Sequence, residues 1–496
     1  MVLHGEAQVL KNGFYNAVGA IIRGGVALLT IPLLIRAIGL EEYGLWTLVS
    51  AVVGLVGLAE AGLSVSTTVF LSRDLASDDA TDISQTLTVA MVAMLLLATF
   101  AALLLWLGAD TLVGFFPNLT EASRSVAAKA CRIGGLVVWA RLLQQVLVAV
   151  EQAHQRYGVM NIVNTVQATL SSLGLLLVAW LGGRTVEMMQ WQAVTSAGIL
   201  IAHVVVGFLL LRHLNLRPTW NSRKSLAIGR YSLLTWIGSL GGVLFGQCDR
   251  LIVGGLLGTS TLGVYAAITN VTGQINGLSA VPVQPLLPIL SNLIAKGGIN
   301  QPILQQRVRQ SFQLNASVAL GMGGTLLTLA PFVLRILLPG AIPDEYVLAF
   351  RLATIIYTLY SLNAVGYYIL FSVNAVKAFM VIQLGSGILS LLMIAAGASV
   401  FGLLGASVGN AGYLGTWLFA LYGMKKINIA KPVWASWLVF PVTWFFVVVA
   451  VSPVIPDKSI LEIFALALQS AVLLGWFVTT QRPEFQLLRR IATTRR

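Results

Sequence analysis

Six ionisable residues stand where this chain has little room for charge. Glu60 and Asp249 read as the only acids deep within its apolar stretches. Arg23, Arg132, Arg141 and Arg250 fall well inside segments that otherwise look like lipid-embedded helix. A charge at the bilayer centre costs about 2.5–3.5 kcal/mol on insertion scales, so such residues face a cavity or a partner. The buried cations outnumber the buried acids. That bias predicts an anionic ligand held in the middle of a membrane.

Spacing sharpens the roles. Asn12, Asn16, Gly19 and Arg23 follow one another at intervals of four, three and four, which makes one stripe along a helix. An arginine at the end of a polar stripe suits phosphate oxygens, because guanidinium binds them bidentately and stays charged. The alternative is a structural pair between Arg23 and Glu60. Glu60 lies in Gly57-Leu58-Ala59-Glu60-Ala61-Gly62; paired it stays charged, and isolated it can carry a coupling proton. Arg132 and Arg141 are nine positions apart and so on opposite faces of a straight helix. Both reach one cavity only if the helix bends at Gly134-Gly135. Arg141, with Gln145 one turn on, is the better cavity candidate.

Adjacent Asp249 and Arg250 point about 100° apart, so each needs a different neighbour. A structural role is the stronger reading, with Asp249 kept as a second ion-coupling candidate beside Glu60. Tyr360, Asn363, Tyr367 and Asn374 share a face. Aromatic faces with amides suit sugar rings; packed tyrosines are the competing reading. His203, alone in its span, reads as an interhelical hydrogen bonder rather than a proton relay.

The elements that position these residues follow from composition. The 496 residues are 57% hydrophobic and only 10% charged, with a mean hydropathy of +0.85. Soluble domains carry about 25% charged residues, so the chain is an all-α polytopic membrane protein; its long unbroken apolar runs exclude a barrel. Spans are predicted near 13–37, 43–71, 85–107, 123–150, 157–181, 188–211, 227–256, 262–290, 312–338, 346–372, 376–400, 403–424, 433–455 and 460–480. About fourteen transmembrane helices result, in two pseudo-symmetric six-helix lobes plus two C-terminal helices. The expected division is an N-lobe at 1–211, a basic linker at 212–226, a C-lobe at 227–424, and two helices with a basic tail at 425–496.

The net charge of +13 collects on the face that holds both termini. That is the positive-inside pattern, with cytoplasmic termini and attraction to anionic membrane lipids, and it argues against nucleic acid as a partner. No cleavable signal peptide is evident. Cys131 and Cys248 read as small core residues. No phosphate-binding Gly-rich loop, H-E-x-x-H motif or nucleophile–base arrangement stands out, so no enzyme activity, cofactor or metal is expected. Pro282, Pro285 and Pro288 predict a bend at the end of the eighth span.

A weak repeat ties the halves together. Ile38-Gly39-Leu40-Glu41-Glu42-Tyr43-Gly44-Leu45-Trp46 recurs 219 residues later as Leu257-Gly258-Thr259-Ser260-Thr261-Leu262-Gly263-Val264-Tyr265. Both copies end one helix at a glycine and open the next around a second glycine. Parallel repeats relate by an axis along the membrane normal, with the substrate site between them.

Several segments resemble the bacterial polysaccharide-export lipid flippases of the multidrug/oligosaccharidyl-lipid/polysaccharide exporter superfamily. They are Asn12-Gly13-Phe14-Tyr15-Asn16 with the Arg23 region, Ile31 to Ile35, Ile38 to Leu45, Gly57 to Leu63, Asp249 to Gly254, and Gly258 to Tyr265. The resemblance implies alternating access around a cationic cavity and a cargo of undecaprenyl-pyrophosphate-linked oligosaccharide. It also implies a driving gradient of H+ or Na+ in the inner membrane, and work beside polysaccharide polymerase machinery. Arg23 and Arg141 correspond to the family's cargo-binding arginines by helix and depth. Multidrug antiporters of the superfamily usually carry intramembrane acids instead; peptidoglycan-precursor flippases share the cavity; a polymerase or ligase needs a large outer domain that no loop here supplies.

Overall fold

The computed structural model describes residues 29–60, 62–77, 79–214, 217–455 and 460–494, with Ile22 and 24–26. Every regular element among the described residues is helical. Nine helices among them are long and apolar enough to cross a membrane, and a bent pair makes a tenth. Their outer surfaces carry large apolar side chains such as Leu96, Phe100, Leu107 and Val381, each at least 65% exposed. Water does not tolerate so continuous an apolar exterior, and lipid does. The chain is an all-α, multi-pass membrane protein.

Glycines break two of the longest runs. In α9 (Asp249–Ala280) the backbone leaves helical geometry at Gly258, with φ 81 and ψ 176. In α15 (Val376–Gly409) it does so at Phe401 and Gly402. These breaks fall between the spans expected at 227–256 and 262–290, and between those at 376–400 and 403–424. The proline bend is also present: α9 runs into a 3₁₀ turn at Val281–Val283, and α10 (Leu286–Gly297) follows. A sharper bend of 77° separates α11 (Pro302–Thr328) from α12 (Ala330–Leu337).

The chain divides into two compact units. One comprises Met1–Ala267, Leu337–Pro339 and Ile394–Ala406; the other comprises Ile268–Ile336, Gly340–Met393 and Ser407–Arg496. In the first unit α5 (Glu121–Ala153) is the central post. It packs against α2 (Leu40–Val56), α3 (Leu63–Ser77), α4 (Ala80–Gly114), α6 (Tyr157–Trp180) and α7 (Thr185–Leu211). Gly134 and Gly135 serve this packing rather than a bend. A Cβ on Gly134 would overlap the Val53 side chain, and one on Gly135 would press on the Ala102 carbonyl oxygen. Helix α5 therefore runs continuously from Glu121 to Ala153.

The basic stretch after α7 is strapped to the first unit. Lys224, in the first turn of α8 (Ser222–Val243), donates to the Asp74 carboxylate at 2.8 Å and to the Asp82 carbonyl at 2.7 Å. Asn221 donates to Gln85, and Ser84 donates to the Arg217 carbonyl. In the second unit, Phe312 stacks on Trp434 inside a core that also holds Leu327, Trp437 and Phe445.

Candidate functional site

The span expected at 43–71 is interrupted at its midpoint, where Glu60 lies. Helix α2 ends at Val56, a 3₁₀ turn occupies Gly57–Glu60, and α3 starts at Leu63. Small residues surround the break, and Gly62 takes φ +68. A side chain at Gly62 would overlap the Ser232 carbonyl and the Thr235 hydroxyl of α8. That contact lets α8 stitch the opened helix. Trp236 Nε1 donates to the Leu58 carbonyl at 2.9 Å, Thr235 donates to the Gly62 carbonyl at 3.2 Å, and the Ser66 and Ser232 hydroxyls meet at 2.6 Å. Backbone groups freed within a membrane need such partners.

Helix α8 changes register before it reaches the charged pair. A π turn at Leu244–Cys248 precedes Asp249; such turns re-aim side chains and recur at functional sites. Here Gln247 and Arg250 line a cavity with Glu60. Asp249 points elsewhere: it is 2% exposed, its Oδ2 accepts the Tyr265 hydroxyl at 3.1 Å, and its Oδ1 has no partner. Tyr265 lies beyond the Gly258 break, so this bond ties the two arms of α9 together.

The cavity has a volume of about 550 Å³ and is walled by Ser50, Glu60, Arg141, Gln145, Gln192, Thr235, Trp236, Gln247 and Arg250. Glu60 accepts from the backbone amide and hydroxyl of Ser64. Arg141 opens into the space, its guanidinium 3.5 Å from the Gln192 amide oxygen. Two guanidinium groups and one carboxylate leave a net positive wall, and three glutamine amides add neutral donors. Such a lining offers the charge-assisted hydrogen bonds that suit a phosphate or pyrophosphate.

The other expected site residues separate. Arg132 is not part of this wall; it pairs with Asp110 at 2.6 Å, with side chains 40% and 71% exposed. Asn16 and Arg23, and hence any pairing of Arg23 with Glu60, lie outside the described residues. Tyr360, Asn363 and Tyr367 come together in the second unit with Asn276, Tyr368, Gln383 and Phe419 around a space of about 260 Å³. They gather because α13 (Asp344–Ser361) ends just before Asn363 and α14 (Ala364–Ser372) begins there. Asn363 donates to the Thr416 hydroxyl, while Tyr367 meets Tyr368 edge-on at 5.2 Å between ring centres. Asn374, past the end of α14 with φ 55, is not among the lining residues.

A third deep acid lies just beyond a predicted span. Glu151, one residue past the span drawn at 123–150, is fully buried, because α5 continues to Ala153. Glu60 and Asp249 are therefore not the only deep acids. Glu151 accepts from the ring of His203 at 2.7 Å across the interface with α7, and the lone histidine was the signal that a buried polar partner existed. Asn118, in a sequon-like triplet, spends its amide on the carbonyls of Gly255 and Leu256.

Known proteins share this architecture. Lipid II flippase MurJ in an inward closed conformation superposes with a TM-score of 0.70 over 96% of this chain and 100% of its own, at 11% identity. An inward-facing multidrug resistance MATE family transporter of the MOP superfamily gives 0.69 over 82% of this chain and 98% of its own, at 15% identity. At such identities the likeness is one of fold. In sequence, a Shigella flexneri protein provisionally described as an O-antigen transporter is 22% identical over 296 residues, 58% of this chain and 67% of its own length. The profile of the polysaccharide biosynthesis proteins matches residues 9–294, which takes in the broken helix, the π turn and every wall of the charged cavity. The chain belongs to the polysaccharide biosynthesis protein family.

Proposed function

We propose that the chain is a flippase that carries undecaprenyl-pyrophosphate-linked oligosaccharide across the bacterial inner membrane by alternating access, driven by an ion gradient. The observation that carries this reading is the meeting of Arg141 and Arg250 with the Glu60 break in one cavity. Discontinuous helices at mid-membrane are where transporters of repeated architecture bind charged cargo and coupling ions. Arg141 and Arg250 hold the pyrophosphate, with Arg23 as the further cargo arginine and Asn16 on the path to it. Glu60, which a coupling ion reaches from the cavity, and Asp249 are the two candidate coupling carboxylates of the first unit's charged region. The aromatic space around Tyr360, Asn363 and Tyr367 takes sugar rings.

The positive-inside pattern supports cytoplasmic termini. Delivery at the outer leaflet places polymerase machinery downstream. A multidrug antiporter is the weaker reading, because two cations to one acid repel the cationic compounds that such proteins export. A peptidoglycan-precursor flippase shares the pyrophosphate chemistry and differs in the glycan.

Leaflet-resolved transport in proteoliposomes tests the proposal. A fluorescent undecaprenyl-pyrophosphate oligosaccharide should be flipped by the wild type, and Arg141→Ala should slow it by about 10-fold or more, since a lost charged hydrogen bond is worth roughly 1.5–3 kcal/mol. Arg132→Ala should stay within about 2-fold, because its exposed pair contributes about 0–1 kcal/mol. Equal effects of the two substitutions sink the cavity assignment. Transport of a lipid-II probe in preference to the oligosaccharide lipid favours the peptidoglycan reading.

A further inference from the structure

The α5–α7 seam carries a third polar feature that the cargo site does not use. Three contacts cross this seam at nearly constant sequence offset. Arg141 lies 3.5 Å from Gln192, Gln144 donates to the Ser196 carbonyl at 2.6 Å, and Glu151 meets His203 at 2.7 Å. The offsets are 51, 52 and 52, so the helices run parallel and in register. The first contact is on the cavity wall. The last is ten residues further along α5, about 15 Å away at 1.5 Å per residue.

The pair at the far end is unusual for its isolation. Glu151 and His203 are both 0% exposed, and neither the second carboxylate oxygen of Glu151 nor Nε2 of His203 has a hydrogen-bond partner. Buried polar atoms left unsatisfied cost about 1–3 kcal/mol each. A purely structural link between α5 and α7 needs no ionisable groups; the Gln144–Ser196 contact achieves one without them.

The surrounding charges are engaged elsewhere. Glu41, Glu42 and Glu187 lie at the opposite end of the seam, where Glu42 accepts from Thr185 at the start of α7. Asp110 is held by Arg132, and Glu60 is at the cavity. At the pair's own end Asp74 and Asp82 are held by Lys224, Arg73 lies over the Phe70 ring, His154 bonds back to the Val150 carbonyl, and Arg156, Arg212 and His213 are exposed beyond the helix ends. Helix α6 carries no charged residue. None of these supplies a counter-charge to the pair.

With one proton between them, Glu151 and His203 are neutral as a unit. Without it the pair carries one net negative charge in an apolar seam, which a packed interior does not accept. Proton binding and close α5–α7 packing are therefore linked, each favouring the other.

We propose that Glu151 and His203 form a proton-binding site, separate from the cargo cavity, that makes H+ the coupling ion of the transport cycle. The proposal rests on the flippase reading for its coupling step. A proton from water is taken up on the imidazole Nδ1 and shared with the Glu151 carboxylate while the seam is packed. It returns to water when the seam opens and hydrates the pair. An imidazole nitrogen takes up H+ and not Na+, so a sodium gradient does not substitute.

Two measurements on the full chain separate the parts. In proteoliposomes with the oligosaccharide-lipid probe, an imposed pH gradient should speed wild-type flipping about 5-fold or more, a modest coupling. Glu151→Gln and His203→Gln should each bring the ratio of flipping with and without the gradient to 1, and the double variant should lose nothing further. A structural role would lower both rates and leave the ratio intact; that result in a variant with wild-type melting overturns the proposal, as does drive by a sodium gradient. The second measurement needs no transport. The chain has four histidines, so ¹⁵N-histidine spectra in nanodiscs isolate His203 by its loss in His203→Gln. Its ring signals should respond to pH in the wild type, and that response should change in Glu151→Gln. A ring that does not titrate, or that ignores the Glu151 substitution, overturns the site. A wild type that flips no probe yet titrates in this way sinks the flippase reading and keeps the proton site.

Discussion

Gly44 and Gly263 are counterparts 219 residues apart, and each is packed against the other's repeat. A Cβ on Gly44 would overlap the Thr259 carbonyl oxygen, and a Cβ on Gly263 would overlap the Leu40 carbonyl oxygen. Leu40 and Thr259 are themselves equivalent positions. The glycines that precede them share one backbone conformation, with φ 85 and ψ 164 at Gly39 and φ 81 and ψ 176 at Gly258. The two helix-opening turns therefore meet reciprocally, as a local two-fold relation requires. A weak nine-residue repeat thereby acquires a physical cause, because both copies need the same left-handed residue and the same missing side chain.

Reciprocity makes the pair testable as a unit. Gly44→Ala and Gly263→Ala should each destabilise the protein by about 1–3 kcal/mol, since each forces backbone apart. Either substitution spreads the same two turns, so the double variant should cost clearly less than the sum. Thermal melting in detergent reads all three values, and strict additivity would mean that the contacts are independent.

The fold was legible because lipid imposes a simple rule on sequence: long apolar runs, broken where glycine and proline break them. The two φ-positive breaks at Gly258 and Gly402 fell where the spans were drawn for that reason. The cavity was legible in part. Arg141 with a glutamine one turn on stands out by type, while Asp249 meets the Tyr265 hydroxyl and Arg250 lines the cavity. What could not be read was partnership at a distance. Nothing within twenty residues of Arg132 shows that Asp110 will neutralise it, or that the π turn at 244–248 will bring Gln247 and Arg250 to Glu60. Glu151 escaped because a hydropathy boundary is blurred by a turn of helix, and one residue decided whether it was inside.

The break at Glu60 gives a comparison between two nearby glycines. Gly57 is helical, with φ −59, and has open space where a Cβ would go. Gly57→Ala should be neutral or stabilising by about 0.4–1 kcal/mol. Gly62, with φ +68 and α8 against it, has neither freedom. Gly62→Ala should cost more than about 1 kcal/mol, through left-handed strain and loss of the Trp236 and Thr235 bonds to the opened helix. If Gly62→Ala melts like the wild type, α8 does not hold the break open, and the placement of Glu60 needs another cause.

The aromatic space in the second unit is tested by the cargo rather than by stability alone. Tyr367 presents a ring among Tyr368, Asn276 and Gln383, and it also packs against Phe371 at 4.8 Å and Phe379 at 5.4 Å. Sugar stacking and internal packing make different demands. Tyr367→Phe preserves the ring, so it should keep both. Tyr367→Leu removes the stacking face, which at roughly 0.5–1.5 kcal/mol lowers transport of an oligosaccharide lipid by about 2- to 10-fold. Bare undecaprenyl pyrophosphate has no sugar to stack, and its transport should change by less than 2-fold, about 0.4 kcal/mol. The quantity that decides is the ratio of the two cargoes in each variant. A ratio that stays at the wild-type value while both rates fall assigns Tyr367 to packing, and the glycan contact must then be sought elsewhere.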